Sequence, residues 1–240
     1  MFFQVKTDRP DATADQVLAF DAIAKDKNPG AEKYVNERAQ RSRICPALAA
    51  EASDIAQLVW AAGDAALKQS WNAQSNTKIS AMEVGTKFVA HPHGIYSYKN
   101  IDVAYQKRKI VACIVGSLYL RSQSRPLLAS TDETAWMDVL DRRAQGTWLI
   151  SSIATQYANR RQGIGSALLE AVEHRARLAN VETVSVAIDG KNPAVEFFQH
   201  QGFRMVWRDK LSNGSKVGII QGWGLMTKRI EQNTTISRRR

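Results

Sequence analysis

Residues 160 to 166, Arg-Arg-Gln-Gly-Ile-Gly-Ser, stand between the apolar run Trp148-Leu149-Ile150-Ser151-Ser152-Ile153-Ala154 and a helix-patterned stretch that begins Ala167-Leu168-Leu169. A strand, a glycine loop and a helix in that order restrict the chain to folds that bring a helix N-terminus to the end of a buried strand. The two glycines leave no side chain over the loop. Amides in the first turn of a helix have no partner within their own helix. Such a loop therefore presents free N–H donors and the positive end of a helix dipole, which suits a pyrophosphate.

The 240 residues, 44% of them apolar, suffice for one core of moderate size plus an appendage. The net charge of +10 is spread out, with 22 Lys or Arg against 15 Asp or Glu between residues 44 and 229. That distribution reads as a general field that attracts anions, and a nucleic-acid stripe would concentrate its charge on one element. The dense run Arg238-Arg239-Arg240 reads as a solvated tail. Cys45 and Cys113 lie in apolar strand-like settings without a CxxC pattern, as buried thiols of a reducing compartment would. Met1-Phe2-Phe3 runs straight into charged residues without a signal-peptide pattern, and no apolar stretch approaches membrane-spanning length. The expectation is a soluble, cytoplasmic protein.

Along the chain, helix patterns over 13–25 and 31–40 flank the turn signal Lys27-Asn28-Pro29-Gly30, so residues 1–43 read as a helical extension. A short strand is expected near 43–47, then a helix with Ile55, Leu58, Val59 and Ala62 at 3.6 spacing and Asp54 near its start. The polar stretch to about Gly94 reads as one more helix with loops. Strands over 98–105 and 110–120 form a hairpin across Gln106-Lys107-Arg108-Lys109, and residues 121–146 are an insertion. In the helix after the glycine loop, Leu168, Leu169, Val172 and Ala176 form the apolar stripe, with Glu170, Glu173, His174 and Arg177 opposite. A strand at 184–188, a helix at 193–200 ending at Gly202, and strands over 203–209 and 216–226 around Asn213-Gly214 complete the pattern. The sum is an α/β (α+β) class with a mixed sheet of six to seven strands flanked by helices.

Three linked segments resemble the GNAT superfamily of acyl-CoA-dependent N-acetyltransferases over roughly residues 44–229, leaving 230–240 as a basic tail. Arg160-Arg161-Gln162-Gly163-Ile164-Gly165 fits the family's R/Q-x-x-G-x-G/A pattern, placed between the fourth strand and its helix. Asn192-Pro193-Ala194 to Gly202-Phe203 looks like the later strand, Asn, short helix and Gly-Phe segment. The upstream hairpin and final strand pair match the remaining order. A Rossmann fingerprint would need a third glycine and a later acid, and a Walker loop Gly-Lys-Ser or Gly-Lys-Thr; neither occurs here.

The resemblance implies that the amides of about Arg161 to Ser166 (Arg161, Gln162, Gly163, Ile164, Gly165, Ser166) hold the pyrophosphate of acetyl-CoA, with Arg160 or Arg161 adding charge. It implies that Ile153, Ala154 and Thr155 pair with the pantetheine arm, and that Asn192 and Phe198 flank its thiol end. It further implies transfer of the acetyl group to a primary amine of a small molecule or protein by direct attack in a ternary complex. A homodimer is allowed; membrane, metal and nucleic-acid partners are not expected. Alternatives are an acyl-CoA-binding module with weak or no catalysis, and an acetyltransferase with a nucleic-acid-associated substrate.

Freeing the lone pair of a lysine-like amine at neutral pH costs roughly 4.6 kcal/mol, against about 2 kcal/mol to release a thiolate. The family commonly supplies a tyrosine acid at the position that falls here on Phe198, and the Asn192 to Gly202 spacing is one residue short. The general acid is therefore unassigned, with Tyr157, His200 and Ser152 as substitutes and a backbone amide near Ala154 to polarise the carbonyl. A water chain is the expected base, because the fourth strand bears no acid; Glu83, Asp102 and Asp138 read as surface charges. His91 and His93, near Tyr96 and Tyr98, lack a third metal ligand and read as part of a packed or substrate-lining loop.

Overall fold

Alternating apolar strands and amphipathic helices assemble into one seven-stranded sheet of order β1-β2-β3-β4-β5-β7-β6. The computed structural model describes residues 42–63, 65–120, 142–208 and 222–231. The strands are β1 (Arg43–Pro46), β2 (Ile101–Gln106), β3 (Lys109–Leu118), β4 (Trp148–Thr155), β5 (Thr183–Asp189), β6 (Arg204–Arg208) and β7 (Trp223–Arg229). The helices are α1 (Ala52–Ala62), α2 (Ala65–Ala73), α3 (Ala81–Ala90), α4 (Ile164–Leu178) and α5 (Ala194–His200). All neighbouring strands run antiparallel except β4 and β5, which are parallel and joined through α4. The mixed sheet flanked by helices is the architecture expected from the sequence.

Both faces of the sheet are covered, which is why β3 reads as an unbroken apolar run from Ile110 to Val115. Ala112 and Ile114 point to the cluster built with Leu168, Leu169, Val172 and Ala176 of α4. Their neighbours Cys113 and Val115 point to the opposite cluster, with Ile55, Leu58 and Val59 of α1, Val84 and Val89 of α3, and Trp71 of α2.

Several local expectations change. The polar stretch after α1 holds two helices, and α3 starts with a capping box in which the Glu83 amide donates to Ser80 Oγ at 3.2 Å and the Ser80 amide to Glu83 Oε2 at 2.7 Å. Glu83 is thus exposed, as expected, and its carboxyl is held below the usual range first by that Ser80 amide. Residues Tyr98–Asn100 form a 3-10 turn, so β2 begins at Ile101. The turn to β3 is two residues long, with Lys107 and Arg108 at φ +48° and +66°, the left-handed pair that a primed hairpin turn requires.

Helix α5 ends in a complete Schellman motif: the Phe203 amide donates to the Phe198 carbonyl at 2.9 Å, the Gly202 amide to Gln199 at 3.0 Å, and the Phe198 and Phe203 rings meet at 5.2 Å. Gly202 has φ +87°, the left-handed value the motif needs.

Two acids expected on the surface are buried. Asp102 is 3% exposed and pairs with Arg175 of α4 at 3.1 Å, tying the helix to β2. Glu173 is 6% exposed and pairs with Lys228 of β7 and with Arg177. The sheet is wide enough to cover more of α4 than its apolar stripe, and the extra width is made acceptable by cations from α4 and β7. His174 is exposed, as its position opposite the stripe suggests. The candidate helices in 13–40, most of the insertion including Asp138, the Asn213-Gly214 turn and the arginine tail lie outside the described residues.

Cys45 is half-buried and Cys113 fully buried. Burial pushes the Cys113 thiol from 9.0 up to about 12. The folded state holds that proton more tightly than the unfolded chain. Its contribution to stability is therefore intact below pH 9 and lost as pH rises from about 9 towards 12. A Cys113→Ala variant is expected to lose less stability than the parent between about pH 9 and 11, measured by urea unfolding. Equal slopes would show that Cys113 ionises normally.

Candidate functional site

The site grows from an irregularity in β4. Its pairing with β3 runs Ile153↔Ile114 and Ser152↔Val115, then jumps to Ile150↔Gly116, which leaves Ser151 as an extra residue. Such a bulge bends the strand and increases its twist. It also reverses side-chain parity: Trp148 and Ile150 face the α4 cluster before it, and Ile153 does so after it, while Ala154 turns to the α1 cluster.

Parallel pairing between β4 and β5 stops at the same point. The register covers only Trp148↔Val184, Leu149↔Ser185 and Ile150↔Val186, although β4 continues to Thr155 on its β3 side and β5 to Asp189 on its β7 side. The two strands diverge and leave a V between them. Its closed end is pinned by Thr147 Oγ1 and Ser185 Oγ, a buried hydroxyl pair at 2.5 Å.

Backbone alternation decides what faces the opening. The Gln156 amide donates to the Val111 carbonyl at 2.9 Å, so in an antiparallel ladder Ala154 and Ser152 also direct their backbone groups to β3. Ile153 and Thr155 then turn theirs to the V. In agreement, the Thr155 carbonyl accepts from Arg160 Nε at 3.2 Å. The amides available for a carbonyl in the opening are those of Ile153 and Thr155, on either side of Ala154.

The glycine loop closes the wide end. Arg161 at φ +58° and Gly163 at φ +80° turn the chain sharply into α4, whose N-cap is Gly163. Among the described residues, the amides of 161–166 find no hydrogen-bond acceptor, and the first bond of the helix runs from Ala167 to the Gly163 carbonyl at 3.1 Å. A Cβ on Gly165 would touch the Phe197 ring at 3.4 Å and Ile153 Cδ1 at 4.0 Å, placing the loop, α5 and β4 side by side. Six consecutive unpartnered amides at a helix start fit a pyrophosphate, and the exposed edge of Ile153 and Thr155 fits an extended amide-bearing arm such as pantetheine.

Other predicted residues are placed as follows. Arg160 lies over the Tyr157 ring at 5.5 Å, and Tyr157 is 86% exposed. Arg161 is exposed, without an ionic partner among the described residues. Gln162 accepts from Gln106 Nε2 at 3.2 Å and donates to the Ala158 carbonyl at 3.2 Å. Ile164 is buried under the loop and Ser166 half-buried. Asn192 Oδ1 accepts from the Ala194 amide at 2.9 Å, starting α5. Phe198 is 1% exposed and packs between Phe197 and Phe203, so the half-buried Phe197 is the α5 ring beside Gly165. His200 is exposed, its Nδ1 at 2.7 Å from the Glu196 carbonyl. Ser152 is half-buried on the face shared with Ala154. Among the described residues no metal-binding cluster occurs; His91 and His93 are exposed, with His91 Nδ1 bonded to the His93 backbone.

Two components of the site escape a reading of motifs. Gln106 bridges the β2 end to the loop, donating to Ser42 Oγ at 2.9 Å and Gln162 Oε1 and accepting from Asn159 Nδ2 at 2.7 Å. Nothing in the spacing of these amides signals it. The bulge does leave a signal, since apolar residues fall at 148, 150 and 153 where a regular strand would have 152.

Residues 119–217 match a family model described as an acetyltransferase (GNAT) domain. The chain has a GNAT-like fold. Solved structures of the same fold include an acetyltransferase, 19% identical over 79% of this chain and 100% of the other, with a TM-score of 0.54. An N-acetyltransferase from Staphylococcus aureus Mu50 is 17% identical over 78% and 100%, with a TM-score of 0.52. The apo form of an agmatine N-acetyltransferase mutant is 12% identical over 79% and 100%, with a TM-score of 0.54. At these identities the likeness concerns the fold. No curated protein sequence matches the chain significantly. The sharp turn into α4 and the splayed strands thus belong to a GNAT-like fold, and no helix among the described residues is long and apolar enough to cross a membrane.

Proposed function

We propose that this GNAT-like domain is an acetyl-CoA-dependent N-acetyltransferase acting on a primary amine of a small molecule or a protein. The observation that carries the reading is the V between β4 and β5 ending at the six unpartnered amides of 161–166. The loop amides and Arg161 would hold the donor's pyrophosphate. The backbone edge of Ile153 and Thr155 would align its arm, and Gly165 with Phe197 would form the wall. Acetyl-CoA supplies an activated acyl group on a thiol leaving group. The amides of Ile153 and Thr155 would donate to a carbonyl oxygen in the opening, an effect worth roughly 2.7–4 kcal/mol per donor in acyl transfer.

Domain limits of 44–229, with an N-terminal extension and a basic tail, belong to the same proposal, as does a cytoplasmic location.

A second reading, an acyl-CoA-binding module with weak catalysis, is favoured by one observation: neither Phe197, the α5 ring beside Gly165, nor the buried Phe198 carries a hydroxyl, while Tyr157 and His200 are turned to other contacts. Incubation with acetyl-CoA and a panel of amines, following thiol release, separates the readings. Release above background with at least one amine supports the enzyme; tight CoA binding by calorimetry without release supports the module. In the second case Phe197→Tyr, which puts a hydroxyl on the ring beside Gly165, is the variant expected to gain activity, and absence of CoA binding would sink both.

A further inference from the structure

We infer that the Lys107–Arg108 hairpin turn recognises the 3′-phosphate on the adenosine ribose of the CoA donor. This rests on the CoA reading above and adds a contact outside the glycine loop. Gln106, the residue before the turn, bonds to Gln162 Oε1 at 3.2 Å and to Asn159 Nδ2 at 2.7 Å, which sets the turn beside the loop.

The charge there is uncompensated. Lys107, Arg108 and Lys109 are exposed and have no carboxylate partner among the described residues, and neither 103–113 nor 154–169 contains an Asp or Glu. Arg160 is already engaged by the Thr155 carbonyl and the Tyr157 ring. The hairpin cations and Arg161 are therefore the free positive groups around the loop. The backbone amides can satisfy a pyrophosphate. A terminal phosphate monoester, with close to two charges and three acceptor oxygens, calls for side-chain cations.

The backbone adds an independent observation. Lys107 and Arg108 both hold left-handed φ values, where Asn-Gly would be at ease and a long side chain is strained. Asn-Gly would join the two strands with less strain, and strain of this kind concentrates at functional positions.

The test compares CoA with 3′-dephospho-CoA by calorimetry, using the full chain and a Lys107→Asn/Arg108→Gly variant. That pair is the one a primed turn prefers, so the hairpin is retained and its melting temperature should not fall. The parent is expected to bind CoA about 10-fold more tightly than 3′-dephospho-CoA. The variant should lose most of that preference through weaker CoA binding alone, and rising salt should shrink the preference in the parent. A parent without preference, or a variant that keeps it, overturns the assignment. Failure of both nucleotides to bind the parent overturns the CoA reading itself, and this inference with it.

Discussion

Gly163→Asp is expected to weaken CoA binding by about 100-fold while leaving the domain folded. Gly163 caps α4 at φ +80°, ψ 0°, and a Cβ there meets nothing within 4 Å, so the position is constrained by backbone conformation and not by space. Asp and Asn tolerate left-handed backbone better than other side chains, which limits the stability loss to about 1 kcal/mol. The Asp carboxylate would stand among the amides of 161–166 and repel a pyrophosphate, a like-charge conflict worth several kcal/mol. Gly163→Asn has nearly the same shape without the charge and should lose no more than about 10-fold. Calorimetry with CoA and thermal unfolding of both variants check this. Asp binding as well as Asn would show that the amides at the start of α4 do not form the anion site.

Gly85→Ala is expected to destabilise the fold by about 2 kcal/mol or more, against the usual sense of the substitution. Gly85 lies within α3, where Ala is favoured by about 1 kcal/mol on propensity alone. Here the new Cβ would fall 2.1 Å from Trp71 Cζ3 and 2.4 Å from Cε3 and Cη2. The Trp71 ring has little room to retreat: it is 1% exposed, stacked on Trp60 at 5.6 Å and edge-on to Tyr96 at 6.4 Å. Overpacking therefore outweighs propensity. A fall in melting temperature of roughly 4–8 °C is expected for a chain of this size. Adding Trp71→Leu should recover part of it, because the two sites share one space. A rise in stability in Gly85→Ala would show that Trp71 does not fill the gap beside α3.

Several features of the site were legible because they depend on local chemistry. Glycines at 163 and 165 after an apolar run announce a turn that only residues without a Cβ, or tolerant of positive φ, make easily. Asn192 and Gly202 bracket a short helix in the sequence as they do in the fold, since helix start and stop are written into the neighbouring side chains. What misled was burial. Glu173 and Asp102 are charged, so they read as surface, yet Lys228 and Arg175 from distant parts of the chain make their burial tolerable. Phe198 counts to the family's acid position, yet its side chain lies in the core with Phe203, and Phe197 is the ring beside Gly165.

The succession of strands, the glycine turn into α4 and the apolar stripes that cover both faces of the sheet are written in the sequence, because periodicity and turn chemistry act over a few residues, whereas the second helix between α1 and β2 is not. Tertiary structure alone decided that β4 and β5 part after Ile150, that Ile153 and Thr155 offer their backbone to the gap, and that Gln106 brings a basic hairpin to the loop. Those outcomes depend on which strand pairs with which, and at what register. Pairing of that kind is a property of residues dozens of positions apart, and no local pattern encodes it.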